Sequence, residues 1–220
     1  MAIAFDATSQ GGNSGSTTLT VAHTVTGSNT FMAAGVYDDA GDTVTGVTCN
    51  GVAMTQSRKV QFGNYTKYLY IYTLTAPATG DVVVTRSSST GVINLIVASY
   101  TGVLQTGQPE ASNGTNYPAA SQTAITTSVT TATDNAWIIA CGVVDNVATP
   151  TPNGVTRRDS GGLSGGLALG DTAGPKSPAG AYTVGFDSTS GNQKGGMNGV
   201  AIAPVAAVAT GNALMVGHFA

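Results

Sequence analysis

Two stretches decide the fold: Ser28-Asn29-Thr30-Phe31-Met32-Ala33-Ala34-Gly35-Val36 and Asp134-Asn135-Ala136-Trp137-Ile138-Ile139-Ala140-Cys141-Gly142-Val143. Each is a polar turn that opens into an apolar strand signal. The agreement extends outward in both directions. Upstream, Thr18-Leu19-Thr20-Val21 is answered by Ala124-Ile125-Thr126-Thr127, and downstream the turn Asn50-Gly51 by Asn153-Gly154. Ala76-Pro77-Ala78-Thr79-Gly80 before Val82-Val83-Val84 is matched by Ser177-Pro178-Ala179-Gly180 before Tyr182-Thr183-Val184. Ile93-Asn94-Leu95-Ile96-Val97-Ala98 and Val200-Ala201-Ile202-Ala203 then close the two series. An offset of roughly one hundred residues is the size of a small β-sandwich. The chain therefore reads as a duplication.

No amphipathic helix period competes with this reading. Short Val, Thr, Ile and Tyr segments alternate with Gly, Asn, Asp and Pro throughout, the strand-and-turn signature. The expected fold is all-β: two tandem, sequence-related β-sandwich halves, jelly-roll or Ig-like, of about seven strands each. They form either two domains or one merged, larger sandwich. The first half spans 1–104 and the second 122–206. Gln108-Pro109, Asn113-Gly114 and Tyr117-Pro118 mark 105–121 as an exposed linker. Asn-Gly suits both central residues of a type I′ turn, so one such hairpin is expected per half.

Two features point to surfaces that meet a partner. Tyr65 to Leu74 alternates Tyr68, Tyr70 and Tyr72 with Leu69 and Ile71, so both faces are apolar. Such a strand is either central to a sandwich or sets its tyrosine face against another subunit. After Pro204 the chain becomes apolar again, and 207–220 reads as a tail carrying Leu214, Met215, Val216 and Phe219. It either returns to cover its own sandwich or lies as an arm on an adjacent subunit.

Charge is scarce. Asp, Glu, Lys and Arg make up 9% of the 220 residues, hydrophobic residues 41%, against roughly 25% charged in an ordinary domain. A surface of Thr, Ser, Asn, Gln and Gly costs little to desolvate, which favours a chain packed against neighbours. The net charge is −3, and the eight Lys and Arg form no run longer than two. No basic stripe for nucleic acid follows from that. No run of about 18 apolar residues suggests a membrane span, and Met1-Ala2-Ile3-Ala4-Phe5-Asp6 lacks the basic start and apolar core of a signal peptide. Cys49 and Cys141 sit inside strand-like segments and read as buried free thiols.

The chemistry-bearing residues do not converge in sequence. Glu110 is the sole glutamate and falls in the expected linker, which disfavours the paired carboxylates of a glycosidase. Asp38, Asp39 and Asp42 are candidate calcium ligands, but no further acidic residue follows at ligand spacing, so a hairpin loop is expected and no metal. His23 lies in a Thr/Val strand, outward-facing or hydrogen-bonded, and His218 near the C-terminus; neither accompanies a nucleophile motif. Gly161-Gly162-Leu163-Ser164-Gly165-Gly166 lacks the Lys-Ser/Thr of a phosphate loop. Arg58-Lys59 and Arg157-Arg158 follow the two Asn-Gly turns, either facing acidic patches of neighbours or guarding strand edges. No catalytic or cofactor-binding residue is expected.

Val47-Thr48-Cys49-Asn50-Gly51-Val52-Ala53-Met54-Thr55, with Tyr68-Leu69-Tyr70 and Ala76-Pro77-Ala78-Thr79-Gly80, resembles a group of Thr/Ser/Gly-rich β-proteins of tailed phages and prophages. So does Ala98-Ser99-Tyr100-Thr101-Gly102-Val103 with Gln105-Thr106-Gly107-Gln108-Pro109. The resemblance implies a non-enzymatic virion structural protein, a capsid decoration (cement) or tail accessory protein, made in the host cytoplasm without a leader. Its partners would be other virion subunits, as a homo-oligomer or with capsid or tail proteins, with Tyr68, Tyr70, Tyr72 and the tail residues at the contacts. The alternative expectation is a carbohydrate-binding module for host glycans with Tyr65, Tyr68 and Tyr117 as stacking platforms, since the sole tryptophan, Trp137, is expected to be buried.

Overall fold

The computed structural model describes residues 1–144, 149–161, 166–188 and 193–206, and these contain strands and no helix. The first half comprises β1 (Ala4–Ser14), β2 (Thr18–His23), β3 (Phe31–Asp38), β4 (Val44–Cys49), β5 (Val52–Ala53), β6 (Thr55–Gln61), β7 (Tyr68–Thr75), β8 (Gly80–Arg86) and β9 (Val92–Thr101). The second comprises β10 (Ala111–Gln122), β11 (Ala124–Thr130), β12 (Trp137–Val144), β13 (Thr151–Asn153), β14 (Thr156–Gly161), β15 (Gly166–Asp171), β16 (Ala181–Asp187) and β17 (Gln193–Ile202).

Burial periodicity sorts these strands into inner and outer sheets. β2 alternates exposed and buried residues, the pattern of a strand with one wet face. β3 and β12 are buried at every position, as a strand covered on both faces must be. The inner sheets run β1-β9-β3-β7-β6 and β10-β17-β12-β15-β14; the outer sheets run β2-β8-β4-β5 and β11-β16-β13. In the first half β1 pairs with β9, β2 with β8, β3 with β7 and β4 with β5, all antiparallel. This nested pairing is that of a jelly roll, with β6 as an additional inner-sheet strand. The second half repeats it through β10–β17, β11–β16 and β12–β15.

The halves do not stand apart. Phe31, Leu69, Ile71 and Ile96 from one inner sheet pack with Trp137, Ile139, Leu167 and Val200 from the other. The opposite faces carry the outer cores: Met32, Val36, Tyr70 and Leu95 meet Val47 and Val84 in the first half, while Ile138 and Met197 meet Ile125 and Phe186 in the second. The result is four stacked sheets with three apolar layers. Among the described residues the shared middle layer holds twenty buried residues against fifteen and ten in the outer ones, so the duplication forms one merged body. Each buried side chain of Leu or Ile size contributes about 1.5–3 kcal/mol.

Register shows that the stack has a pseudo-twofold arrangement. Gly35 lies between Ile71 and Ile96, and Cys141 between Leu169 and Asn198, equivalent places in the two halves. These equivalents face each other: a Cβ built on Gly35 would lie 2.2 Å from the Cys141 Sγ and 3.4 Å from its Cβ. The edges repeat the relation, with Thr8 of β1 donating to Asp159 of β14 and Ser112 of β10 donating to the Ser57 carbonyl of β6. Bulges in β6 and β14 are equivalent too. At that position the first half holds a Ser57–Thr73 hydrogen bond and the second an Arg158–Asp171 ion pair.

Three sequence expectations require correction. Segment 105–121 is a connection only at its start, because 111–122 is β10, an edge strand of the inner sheet. Pro118 is tolerated there because it falls where the β10–β17 register breaks, between Tyr117 and Gln122. Asn50-Gly51 is a tight hairpin with φ of 47° and 79°, but Asn153-Gly154 is not its counterpart: only Gly154 has positive φ, and the chain passes directly from β13 in the outer sheet to β14 in the inner one. The halves carry nine and eight described strands rather than about seven, through the short β5 and the extra inner strands β6 and β14.

Gly35→Ala is expected to destabilise the fold by about 1–3 kcal/mol through overpacking against the Cys141 sulfur. Gly35→Ala with Cys141→Ala should recover much of that loss, leaving an ordinary Cβ–Cβ contact. A double-mutant cycle by urea denaturation measures the coupling; additive losses would show that the two positions do not touch.

Candidate functional site

The tyrosines of β7 form a ladder, with ring centroids 6.3 Å apart for Tyr68–Tyr70 and 6.2 Å for Tyr70–Tyr72. Their face is turned inward. Tyr70 and Tyr72 are buried beneath the first half's own outer sheet, and Tyr68 is half-buried at its margin. Tyr70 donates to Asp42 at 2.8 Å and Tyr72 to Gln56 at 3.2 Å. Burial, reinforced by Asp42, pushes the Tyr70 hydroxyl well above its usual range. Of the two sequence alternatives, the strand central to a sandwich is the one observed, so Tyr70 and Tyr72 are not a docking face. The candidate glycan platforms are occupied internally as well. Tyr65 stacks on Phe62 at 5.6 Å with the Lys194 ammonium 4.6 Å from its ring, and the Tyr117 hydroxyl donates to the Thr126 carbonyl at 2.8 Å.

The three clustered aspartates do not converge on one point. Asp38 is fully buried and pairs with Arg86 at 3.1 Å, while also accepting from the Ala40 amide and the Thr43 hydroxyl. Arg86 donates in addition to the carbonyls of Ser16 and Thr90, tying β8 to two loops. Asp39 accepts from the Val92 amide. Asp42 pairs with Lys59 at 2.6 Å, and that ammonium holds its carboxyl below the usual range against opposing burial. Each carboxylate thus has its own set of partners, and among the described residues no group of three or more His, Cys, Asp or Glu is arranged to hold a metal.

His23 sits in a separate buried polar cluster. It lies in the inward row of β2, 3% exposed, with Nδ1 2.8 Å from Ser9 Oγ and Nε2 3.0 Å from Ser99 Oγ. Ser99 donates onward to Asp6 at 2.7 Å, and Asp6 accepts from the Thr26 amide and hydroxyl. The order Ser9–His23–Ser99–Asp6 differs from a catalytic relay, in which the carboxylate orients the histidine and the serine faces substrate. Here the carboxylate is spent on a serine, and the histidine is inside. Burial lowers the His23 pKa, partly offset by Asp6. Burial of Asp6 would raise its pKa, but the Thr26 and Ser99 hydrogen bonds prevail and lower it. The cluster fastens β1, β2 and β9 together.

A second polar node joins the halves. Asp171 accepts from Arg158 at 2.6 Å and from the fully buried Tyr100 hydroxyl at 3.1 Å, and the Arg158 guanidinium lies 4.3 Å from the Phe5 ring centre. Asn198, also buried, donates to the Leu69 carbonyl across the shared core at 3.0 Å. Cys49 and Cys141 are buried free thiols, and burial pushes both pKa values up. Of the basic pairs, Lys59 is held by Asp42 and Arg158 by Asp171, whereas Arg58 is exposed. Gly161 ends β14 and Gly166 begins β15; 162–165, like His218 and the tail residues Leu214, Met215, Val216 and Phe219, lie outside the described residues.

Among the described residues, two solvent-open concavities stand out. One, of about 590 Å³, lies between β4 and β6 and is lined by Thr45, Thr48, Met54, Gln56 and Tyr72. The other, of about 660 Å³, is mainly apolar and lies where both chain ends meet; Met1, Ile3, Trp137, Pro175, Pro204 and Val205 line it. The Met1 ammonium donates to the Val205 carbonyl at 2.9 Å there, and Val103 bridges Pro204. Sequence reasoning did not find this groove because its walls come from four separate segments. Trp137 at the mouth of β12 is the one residue whose rarity could have drawn notice.

No family model matches the chain, and no curated protein or solved structure shows significant similarity to it.

The buried His23 predicts a pH dependence with a definite sign. Its folded pKa lies below the 6.5 of an exposed histidine, so between these values the unfolded chain binds the proton and the folded chain does not. Stability is full above about 6.5 and falls as pH drops toward the folded value. His23→Gln should flatten urea-denaturation midpoints over this window, and an unchanged slope in the variant would assign the effect elsewhere. Arg86→Met leaves Asp38 buried and unpaired, at an expected cost of about 3–5 kcal/mol in the same assay.

Proposed function

We propose that this chain is a non-enzymatic structural subunit of a larger assembly, a virion component of the capsid decoration or tail accessory kind, acting through protein–protein contacts. The observation that carries the reading is a surface with little free charge on a rigid, triply layered core. The few ionic groups are largely satisfied from within: Asp42 by Lys59, Asp171 by Arg158, Asp38 by Arg86, Asp187 by Asn153, and Glu110 by the Ala132 and Thr133 amides. What remains outside is dominated by Thr, Ser and Asn, together with exposed Val52 and Leu104. Such groups can be taken out of water against a neighbour without stripping ions of their hydration.

The jelly-roll pairing agrees with this role by analogy, as the architecture recurs in capsid proteins; it recurs in lectins too, so fold alone does not choose. The buried Tyr70 and Tyr72 remove the tyrosine strand from the contact surface, leaving the outer-sheet edges and the apolar end. On a shell of repeated copies, weak single contacts add up through multivalency.

Light scattering on the purified full chain over a concentration series tests the proposal. Self-association that persists near 1 M salt, where the screening length falls to about 3 Å, is the expected result for contacts that do not rely on charge. A monomer at every concentration that instead binds glycans on an array would overturn it in favour of a carbohydrate-binding module.

A further inference from the structure

We infer that the free edge of β2 docks a second copy of this chain, the two β2 strands pairing antiparallel about an axis at Val21 so that two outer sheets become one. The inference deepens the proposed role by naming a contact surface and its occupant, and it rests on that reading. It is carried by the direction of the β2 backbone groups, by a difference between the two halves, and by the self-complementarity of the edge.

Within an antiparallel ladder, successive residues turn their backbone groups to opposite sides. The Arg86 amide donates to the Thr17 carbonyl at 2.9 Å, and β2 pairs with β8 without a bulge. Leu19, Val21 and His23 therefore bond to β8, while Thr18, Thr20 and Ala22 turn their amides and carbonyls to the open side. Thr18 is met from its own chain, its amide donating to Ser16 Oγ at 3.2 Å and its carbonyl accepting from Asn13 at 3.4 Å. Among the described residues, no group bonds to the outward amide and carbonyl of Thr20 or Ala22. Such a row of unpaired groups is a template for another strand.

The second half has the equivalent edge covered. In β11 the Thr131 amide donates to the Gly180 carbonyl, so Thr126 and Ser128 are the residues turned outward. Side chains of β10 meet them: the Tyr117 hydroxyl bonds to the Thr126 amide and carbonyl, and Asn113 donates to the Ser128 carbonyl at 2.8 Å. The register that makes Thr8 equivalent to Ser112 puts Ser9 where β10 has Asn113, and Asn13 where it has Tyr117. Ser9 is spent on His23 at 2.8 Å, and Thr20 loses its cover. The remaining edges are guarded in the ways edge strands usually are. Bulges interrupt β1, β6 and β14, Pro118 lies in β10 and Pro152 in β13, and β5 has only 2 residues. β2 carries none of these guards.

The occupant that fits is another β2. Its outward side chains, Thr18, Thr20 and Ala22, are exposed, small and uncharged, so two copies meet with no like charges opposed. With Val21 on the axis, Thr20 exchanges bonds with the second copy's Ala22, and Ala22 with the second copy's Thr20. Every open group is thus met by the same edge that presents it.

Amide exchange at Thr20 and Ala22, followed together with light-scattering mass over a dilution series of the full chain, tests the inference. Expected is protection of both amides where the mass has doubled and exchange roughly ten-fold faster in the dilute monomer, with Leu19 and Val21 protected throughout. Thr20→Pro removes an outward donor without touching the β8 ladder, and Ala22→Lys sets a charge on the seam. Each variant, its fold checked by circular dichroism, should raise the dissociation constant about ten-fold or more. Variants that associate as tightly as the unaltered chain, or a doubled mass with fast exchange at Thr20 and Ala22, would place the contact elsewhere and sink the inference while the proposed role stands. Protection that does not change on dilution would sink it too, because the chain's own residues would then cover the edge. A chain that stays monomeric also refutes it, and the glycan array then decides the role separately.

Discussion

The structure depends on the contact between its two inner sheets. Gly35 and Cys141 occupy equivalent places in the two halves and meet at the centre, where the glycine's missing side chain makes room for the thiol. A repeated sequence that packs on itself puts each near-axial position against its own equivalent. If both were large they would clash, and if both were glycine a void would remain. One small and one medium residue fill the space, which is why the halves must differ here although their strand orders agree.

From this contact the remaining order follows. Sheets covered on both faces need strands that are apolar throughout, as β3 and β12 are, and outer sheets that are apolar on one face, as β2 is. Burying so much backbone leaves strand ends and loops in need of partners, and the scarce charged residues supply them: Arg86 and Asp38 close one end of the first half, Arg158 and Asp171 bind the halves near Tyr100, and Glu110 caps the β11–β12 turn. Charge here holds the inside together rather than advertising the outside. The same economy explains why residues that suggest chemistry in sequence, the aspartate cluster and His23, prove to be fasteners.

The functional reading changes accordingly. Tyrosines that alternate along β7 look like an adhesive stripe when only one strand is considered, but a strand in the middle of a stack has no face to spare. The surface left for partners consists of polar uncharged side chains, the edges of the outer sheets and the groove where the termini meet. These are the features on which the proposed role rests.

The strand character, the duplication and the buried cysteines were legible in the sequence, because side-chain period, turn chemistry and composition are local properties that a strand must display wherever it ends up. Even the choice between two readings of the tyrosine strand was visible as a choice. What only the tertiary structure decided are the long-range pairings: that the two halves share a core, that 111–122 is a strand despite Pro118, that Asn153-Gly154 leads across sheets instead of closing a hairpin, and that residues near 1, 137, 175 and 205 enclose a groove. Their common reason is that a strand's partner is chosen by surfaces far away along the chain. Local sequence states what a segment needs, and packing settles which distant segment supplies it.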